Sequence, residues 1–304
     1  MTFQIPVKHL FSVRLEGLRK HSYDFVGPFG RRRFEKAVGG TVSGSAMTGK
    51  VLELLATDYG RVSDDGSLRA YNAGITLQAE DGAIVLLQFR GRSSAVYGPG
   101  QSRVQALFQA PEGPFGWLNG IQAVGHGRED GDDTILEIYA VTGSEPAEGP
   151  DDERAWAEKE GLPADFILRR RSAHVPGAIR HKLEAPLGSR YFTLAEGGGK
   201  FEGPRLGSGD FLSGFAWGPH RMLPGGDVSL MQYDMETFLK ADDGTEIFMS
   251  YTGCASSQYA KHSWVTAALF EVPSGPHDWM NEVQTVGYGF FRGDGAEYFY
   301  YALR

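Results

Sequence analysis

A chain of 304 residues, 41% hydrophobic and 22% charged, is long enough for two ordinary globular domains, each burying its own core. A net charge of −8 and a pI near 5.5 exclude the basic face of a nucleic-acid binder and offer nothing to an anionic membrane surface. The single cysteine, Cys254, excludes an intramolecular disulfide, and no stretch approaches the roughly 18 apolar residues of a membrane span.

Met1 to Leu10 carries neither a long apolar run nor a small-residue cleavage site, so no signal peptide is expected and the protein is expected in the cytoplasm. His9 to Leu15 reads as the first strand, with Leu10, Ser12 and Arg14 on one face and Phe11, Val13 and Leu15 on the other. An insertion, Arg19 to Arg33, ends in the triplet Arg31-Arg32-Arg33. Ala83 to Phe89 is an apolar strand bounded by Asp81-Gly82 and Gly91, and Thr134 to Tyr139 closes this half. Gly143 to Glu153 is acidic and rich in Pro and Gly, a connector. Glu153 to Lys159 is expected as a short helix, capped by Asp151 or Asp152 and stopped by Gly161-Leu162-Pro163.

The second half repeats the first. Pro111 to Gly127 and Pro273 to Gly289 align without a gap, Trp117 matching Trp279 at an offset of 162 (279 − 117). The same offset pairs Asp81-Gly82 with Asp243-Gly244, Gly91 with Gly253 and Tyr139-Ala140 with Tyr301-Ala302. A repeat this long is a duplicated domain, not a solenoid unit. Thr245 to Tyr251 and Ala296 to Tyr301 are the matching strands, and copy two has its own insertion from Phe211 to Gly225. Asp-Gly pairs mark hairpins that need positive φ, and the 42 glycines fit many tight turns. The expected fold class is all-β: two tandem antiparallel β-barrels, residues 1–142 and 165–304, joined by a linker over 143–164.

Several motifs in order carry a resemblance. Copy two holds Gly198-Gly199-Lys200-Phe201-Glu202-Gly203-Pro204, Gly225-Gly226-Asp227, Asp234-Met235-Glu236-Thr237, Asp243-Gly244 and Trp279-Met280-Asn281. Copy one holds Gly39-Gly40, Asn72-Ala73-Gly74-Ile75, Asp81-Gly82 and Trp117-Leu118-Asn119. Together they resemble the DUF3237 (UPF0311) family, one domain per copy. The resemblance implies a small barrel similar to allene oxide cyclase and dirigent barrels, which hold small apolar molecules and use no metal or nucleotide. The family motif Asp-Ala-Arg-Tyr loses its Arg to Gly74 and Glu236, so an anion-binding role for it does not carry over.

Asp234, Glu236 and Phe238 share one strand face. If that face lines the barrel, two carboxylates sit in an apolar space, one pKa rises, and acid–base work follows. Asn72 and Gly74 replace them in copy one, which makes copy two the expected active domain. Arg205 or Tyr288 is the expected oxyanion partner, though Arg205 equally suits a salt bridge to Asp234. His126 and Tyr288 lie at equivalent positions between two glycines, where backbone can approach a ligand or form a bulge. Trp217, His220, Tyr233, Phe238, Trp264, Asn72 and His126 are the expected substrate contacts, against the simpler reading of the aromatics as core. No metal-ligand cluster, phosphate loop or serine-hydrolase elbow occurs, so no metal and no cofactor are expected. The leading expectation is a cofactor-independent lyase or isomerase moving a proton on a small apolar or aromatic molecule. The alternatives are a non-catalytic small-molecule binder and a structural barrel that self-associates as a homo-oligomer.

Overall fold

The computed structural model describes residues 2–28, 30–142, 161–173, 180–183, 189–196, 198–212, 214–222, 228–256, 258–259, 263–292 and 295–304. The chain divides into two units, Val7–Val141 and Met1–Pro6 with Thr142–Arg304. Among the described residues every regular element is a strand or a short 3₁₀ turn.

The first unit contains β1 (Thr2–Glu16, from Val7 onward), β2 (Ser22–Gly27), β3 (Gly30–Lys36), β4 (Gly39–Ser43), β5 (Gly49–Val62), β6 (Arg69–Ala79), β7 (Ile84–Ser93), β8 (Gln101–Gln109), β9 (Ala123–Asp130) and β10 (Asp133–Val141). β1, β4, β5, β6, β7, β8, β9 and β10 pair antiparallel in that order, and β10 returns to β1. This is a closed eight-stranded barrel, which leaves no edge within the ring. The insertion after β1 forms the β2–β3 hairpin, docked on the second half of β5. Alternation decides what fills the barrel: Phe11, Val13 and Leu15 of β1 and Ala73, Ile75, Leu77 and Ala79 of β6 point in and are buried. Each large aliphatic or aromatic side chain buried this way contributes about 1.5–3 kcal/mol.

The second unit repeats the plan with β11 (Gly161–Ala173), β12 (Arg180–Leu183), β13 (Arg190–Glu196), β14 (Gly199–Gly203), β15 (Gly207–Phe211), β16 (Gly214–Met222), β17 (Val228–Ala241), β18 (Glu246–Ser256), β19 (Ser263–Glu271), β20 (Thr285–Arg292) and β21 (Gly295–Leu303). β11, β14, β15, β17, β18, β19, β20 and β21 close the second ring, while β16 also lies on β17 and carries β13. Thr2–Pro6 pair with Gly161–Asp165, which places the first six residues in this unit instead of the first. Gly161-Leu162-Pro163 is therefore strand and not a helix stop; the helix expected over 153–159 lies outside the described residues. Both Asp-Gly hairpins form, with Gly82 at φ 88° and Gly244 at φ 90°, a region costly for other residues.

Candidate functional site

β3, β5 and β6 bring a charged cluster onto the inner wall of the first barrel. On β5 the inward phase runs Ala56, Asp58, Gly60, Val62, so a single carboxylate interrupts an otherwise small or apolar row. Register sets Asp58 opposite Glu35 of β3 and opposite Ala73 of β6. Arg69, at the start of β6, reaches between the acids. Its Nη1 and Nη2 donate to Glu35 Oε1 and Oε2 at 2.9 and 2.6 Å, and Nη2 also donates to Asp58 Oδ2 at 2.6 Å. The backbone N–H of Asn72 donates to Asp58 Oδ1 at 2.8 Å. Glu35 and Asp58 are each 3% exposed. The guanidinium also lies 4.4 Å from the centre of the Tyr71 ring.

Burial is the main cause that pushes the Asp58 carboxyl above its ordinary range, with Glu35 adding to it; Arg69 and the Asn72 N–H oppose the rise. Burial works against the Arg69 charge, but Tyr71, Glu35 and Asp58 outweigh it and raise its pKa. Burial also pushes the Tyr71 phenol up. Two acids around one cation leave a surplus of negative charge in this wall.

This cluster is one wall of an open-mouthed cavity of about 40 Å³. Ala73, Ile75, Phe89, Val104 and Leu136 supply the apolar walls, and Arg19 and Glu129, paired at 2.9 Å and about half exposed, stand at the mouth.

The second barrel has lost this arrangement. By register, Glu35, Asp58 and Arg69 correspond to Thr193, Ala216 and Met231, none of which carries a charge. Larger groups occupy the matching interior: Ala73 becomes Met235, Ser102 becomes Trp264, Leu136 becomes Tyr298 and Val13 becomes Arg170. Arg170 is fully buried, 3.9 Å from the ring centres of both Phe211 and Tyr298. Of the aromatics expected to contact a ligand in copy two, Tyr233 and Trp264 are core.

The expected acid–base face turns the other way. Tyr233, Met235, Thr237 and Leu239 are the buried phase of β17, so Asp234 is half-buried on the outer face and Glu236 and Phe238 are exposed. Trp217, paired with Asp234, lies on that outer face at 39% exposure, and its register counterpart in copy one is the exposed Tyr59. Arg205 sits in the exposed turn between β14 and β15, 4.4 Å over the Trp279 ring. His220 is buried on β16 in the phase of Ala216. Asn72 is exposed and enters the site through its backbone alone.

Tyr288 and His126 point away from the barrel interiors. Tyr288 shares a face with Val265 and Phe299, whereas Gly287 and Gly289 face inward. A Cβ on Gly289 would overlap the Trp264 indole nitrogen, so the glycines flanking Tyr288 make room for core rings and not for a ligand. Gly289→Ala is expected to cost about 1–3 kcal/mol by overpacking; a urea midpoint unchanged from wild type would show that Trp264 moves aside freely. On the outer face of copy one, burial and the nearby Arg103 hold the His126 imidazole down at about 4, against a smaller upward pull from Glu137. The folded state therefore binds this proton less readily than the unfolded chain, and stability is lost as pH falls from about 6.5 towards 4. His126→Gln should flatten that part of a stability–pH curve; an unchanged slope would assign the loss to other groups.

The family described as "Protein of unknown function (DUF3237)" matches over residues 5–141 and again over residues 172–303. Among solved structures, a β-barrel-like protein from Acinetobacter baumannii AYE is 23% identical, covering 44% of this chain and 94% of its own, with a TM-score of 0.40. A protein of unknown function from Clostridium acetobutylicum is 19% identical over 45% of this chain and 99% of its own, TM-score 0.40. An enzyme from Penicillium herquei is 18% identical over 45% of this chain and 92% of its own, TM-score 0.30. No curated protein matches the chain.

Proposed function

The chain belongs to the DUF3237 family, once in each half, and from that premise we propose that its first barrel binds a small, mostly apolar molecule and moves a proton on it, as a lyase or isomerase needing no cofactor. One observation carries this reading: Asp58 is a buried carboxyl with a raised pKa on the wall of an open cavity whose other walls include Ala73, Ile75, Phe89 and Leu136. Burial that disfavours the charged form eases the uptake and release of a proton by such a group, which is the requirement for general acid–base catalysis. Arg69 fixes its position through Oδ2, and the Asn72 N–H fixes Oδ1. The surplus negative charge of the wall favours a transition state that gains positive charge over one that forms an oxyanion. A second reading, a carrier without catalysis, is supported by the way Arg69 ties both carboxylates into one rigid unit.

Proton NMR in D2O with small aryl alcohols, alkenes and carbonyl compounds tests both. Deuterium incorporation or product formation is expected with wild type and is expected to vanish in Ala73→Met, which puts the residue of copy two into the cavity. Line broadening without exchange would select the carrier. Activity that survives a filled cavity would move the site elsewhere.

A further inference from the structure

Resting on the pocket reading above, we propose that the first barrel selects ligands with a cationic head: a protonated amine on a short apolar body, in preference to the matching alcohol and to the exclusion of the matching carboxylate.

The argument starts from donors and acceptors. Both terminal nitrogens of Arg69 are already committed to carboxylate oxygens, so the buried guanidinium offers an incoming anion only its Nε–H. The four carboxyl oxygens of Glu35 and Asp58 each accept two hydrogen bonds at most, and each retains capacity beyond the bonds described here. Open acceptor positions in the cluster therefore outnumber its one open guanidinium donor. Its charges, two negative and one positive, are balanced by one more positive charge. An ammonium group supplies both the donors and the charge in one head. A carboxylate would meet two buried carboxylates and would have to break the bidentate Arg69–Glu35 pair to be held.

The surroundings fit the same ligand. Phe89 lines the cavity and offers a ring to a cation, while Ala73, Ile75 and Leu136 cover an apolar body. At the mouth Arg19 is paired with Glu129, so the rim adds no net charge through that pair. The cluster forms the wall of an open cavity and not a sealed core, so its charge is within reach of a ligand. The second barrel serves as an internal control, since Thr193, Ala216 and Met231 stand at the three charged positions.

Isothermal titration of the full chain with benzylamine, benzyl alcohol and benzoate at pH 7 tests the proposal. Benzylamine is expected to bind about tenfold or more tightly than benzyl alcohol, with benzoate undetectable, in line with a charge-assisted bond to a buried carboxylate. Asp58→Asn and, separately, Glu35→Gln should each lower benzylamine affinity about tenfold and leave benzyl alcohol within about threefold, which also shows that the variants fold. Benzoate binding as tightly as benzylamine, or a preference that both variants leave untouched, overturns the cationic head while sparing the pocket. Failure of all three compounds overturns the inference together with the pocket reading beneath it.

Discussion

Arg69→Met, which installs the residue of copy two, is expected to destabilise the first barrel by about 3–5 kcal/mol. The cost does not come from the lost guanidinium contacts alone. Glu35 and Asp58 are each 3% exposed, and without Arg69 two carboxylates face each other in an apolar wall with no cation to offset them. The combined variant Glu35→Thr, Asp58→Ala, Arg69→Met should cost much less than the single one, because it removes the charges together with their cation and reproduces a wall that copy two already tolerates. Hydrogen exchange on β5 and β6 across a urea series reads the first barrel separately from the second. A single variant losing under about 1 kcal/mol would mean that water reaches the cluster freely, as at a surface pair.

The duplication, the all-β class and the Asp-Gly hairpins were legible because each rests on a local pattern: a constant offset, an alternation, a turn dipeptide. The phase of β17 was legible too. Lys240 and Glu236 fall in one row and Met235 and Leu239 in the other, and the row with the lysine is the outer one. Giving weight to the carboxylates at 234 and 236 over that alternation reversed the face, and with it the choice of copy. The cluster of Glu35, Asp58 and Arg69 gives a weaker signal. Asp58 stands out only as a carboxylate in the inward row of β5. Glu35 lies just past the Arg19–Arg33 segment, and Arg69 begins a strand, so nothing in the sequence shows that the three meet. Their meeting depends on register across β3, β5 and β6, a long-range property. The shift in register between Val51 and Ala56 also breaks the constant offset, so the counterpart of Asp58 is Ala216 and not the residue at 220.

Divergence between the copies follows one physical logic. A barrel this size must be filled or occupied. Copy two is filled, by Met235, Trp264, Tyr298 and Arg170, and its inward glycines exist to admit those rings. Copy one keeps smaller residues at the same places and retains a cavity, and its buried charges survive at the edge of that cavity. Buried charges of this kind weaken a barrel relative to an apolar wall. Their place beside that cavity is what the proposed ligand-binding role rests on.

Asp58→Asn separates that role from a purely structural one. Turnover is expected to fall about 10²–10⁴-fold, the usual worth of a positioned acid or base. Stability should fall by only about 1–3 kcal/mol, since the amide can accept from Asn72 or from Arg69 but not from both, leaving one donor unmatched. The pH dependence gives an independent reading. With its pKa raised above the ordinary 3.8, Asp58 contributes stability that is present at low pH and is lost as pH rises through its folded pKa. The variant cannot titrate there, so the gap between wild type and Asp58→Asn should widen towards acid and narrow towards neutral pH. Urea unfolding from pH 3 to 8 measures the gap. Turnover within tenfold of wild type would remove Asp58 from the chemistry, and a gap that stays constant with pH would show that its carboxyl is not shifted by burial.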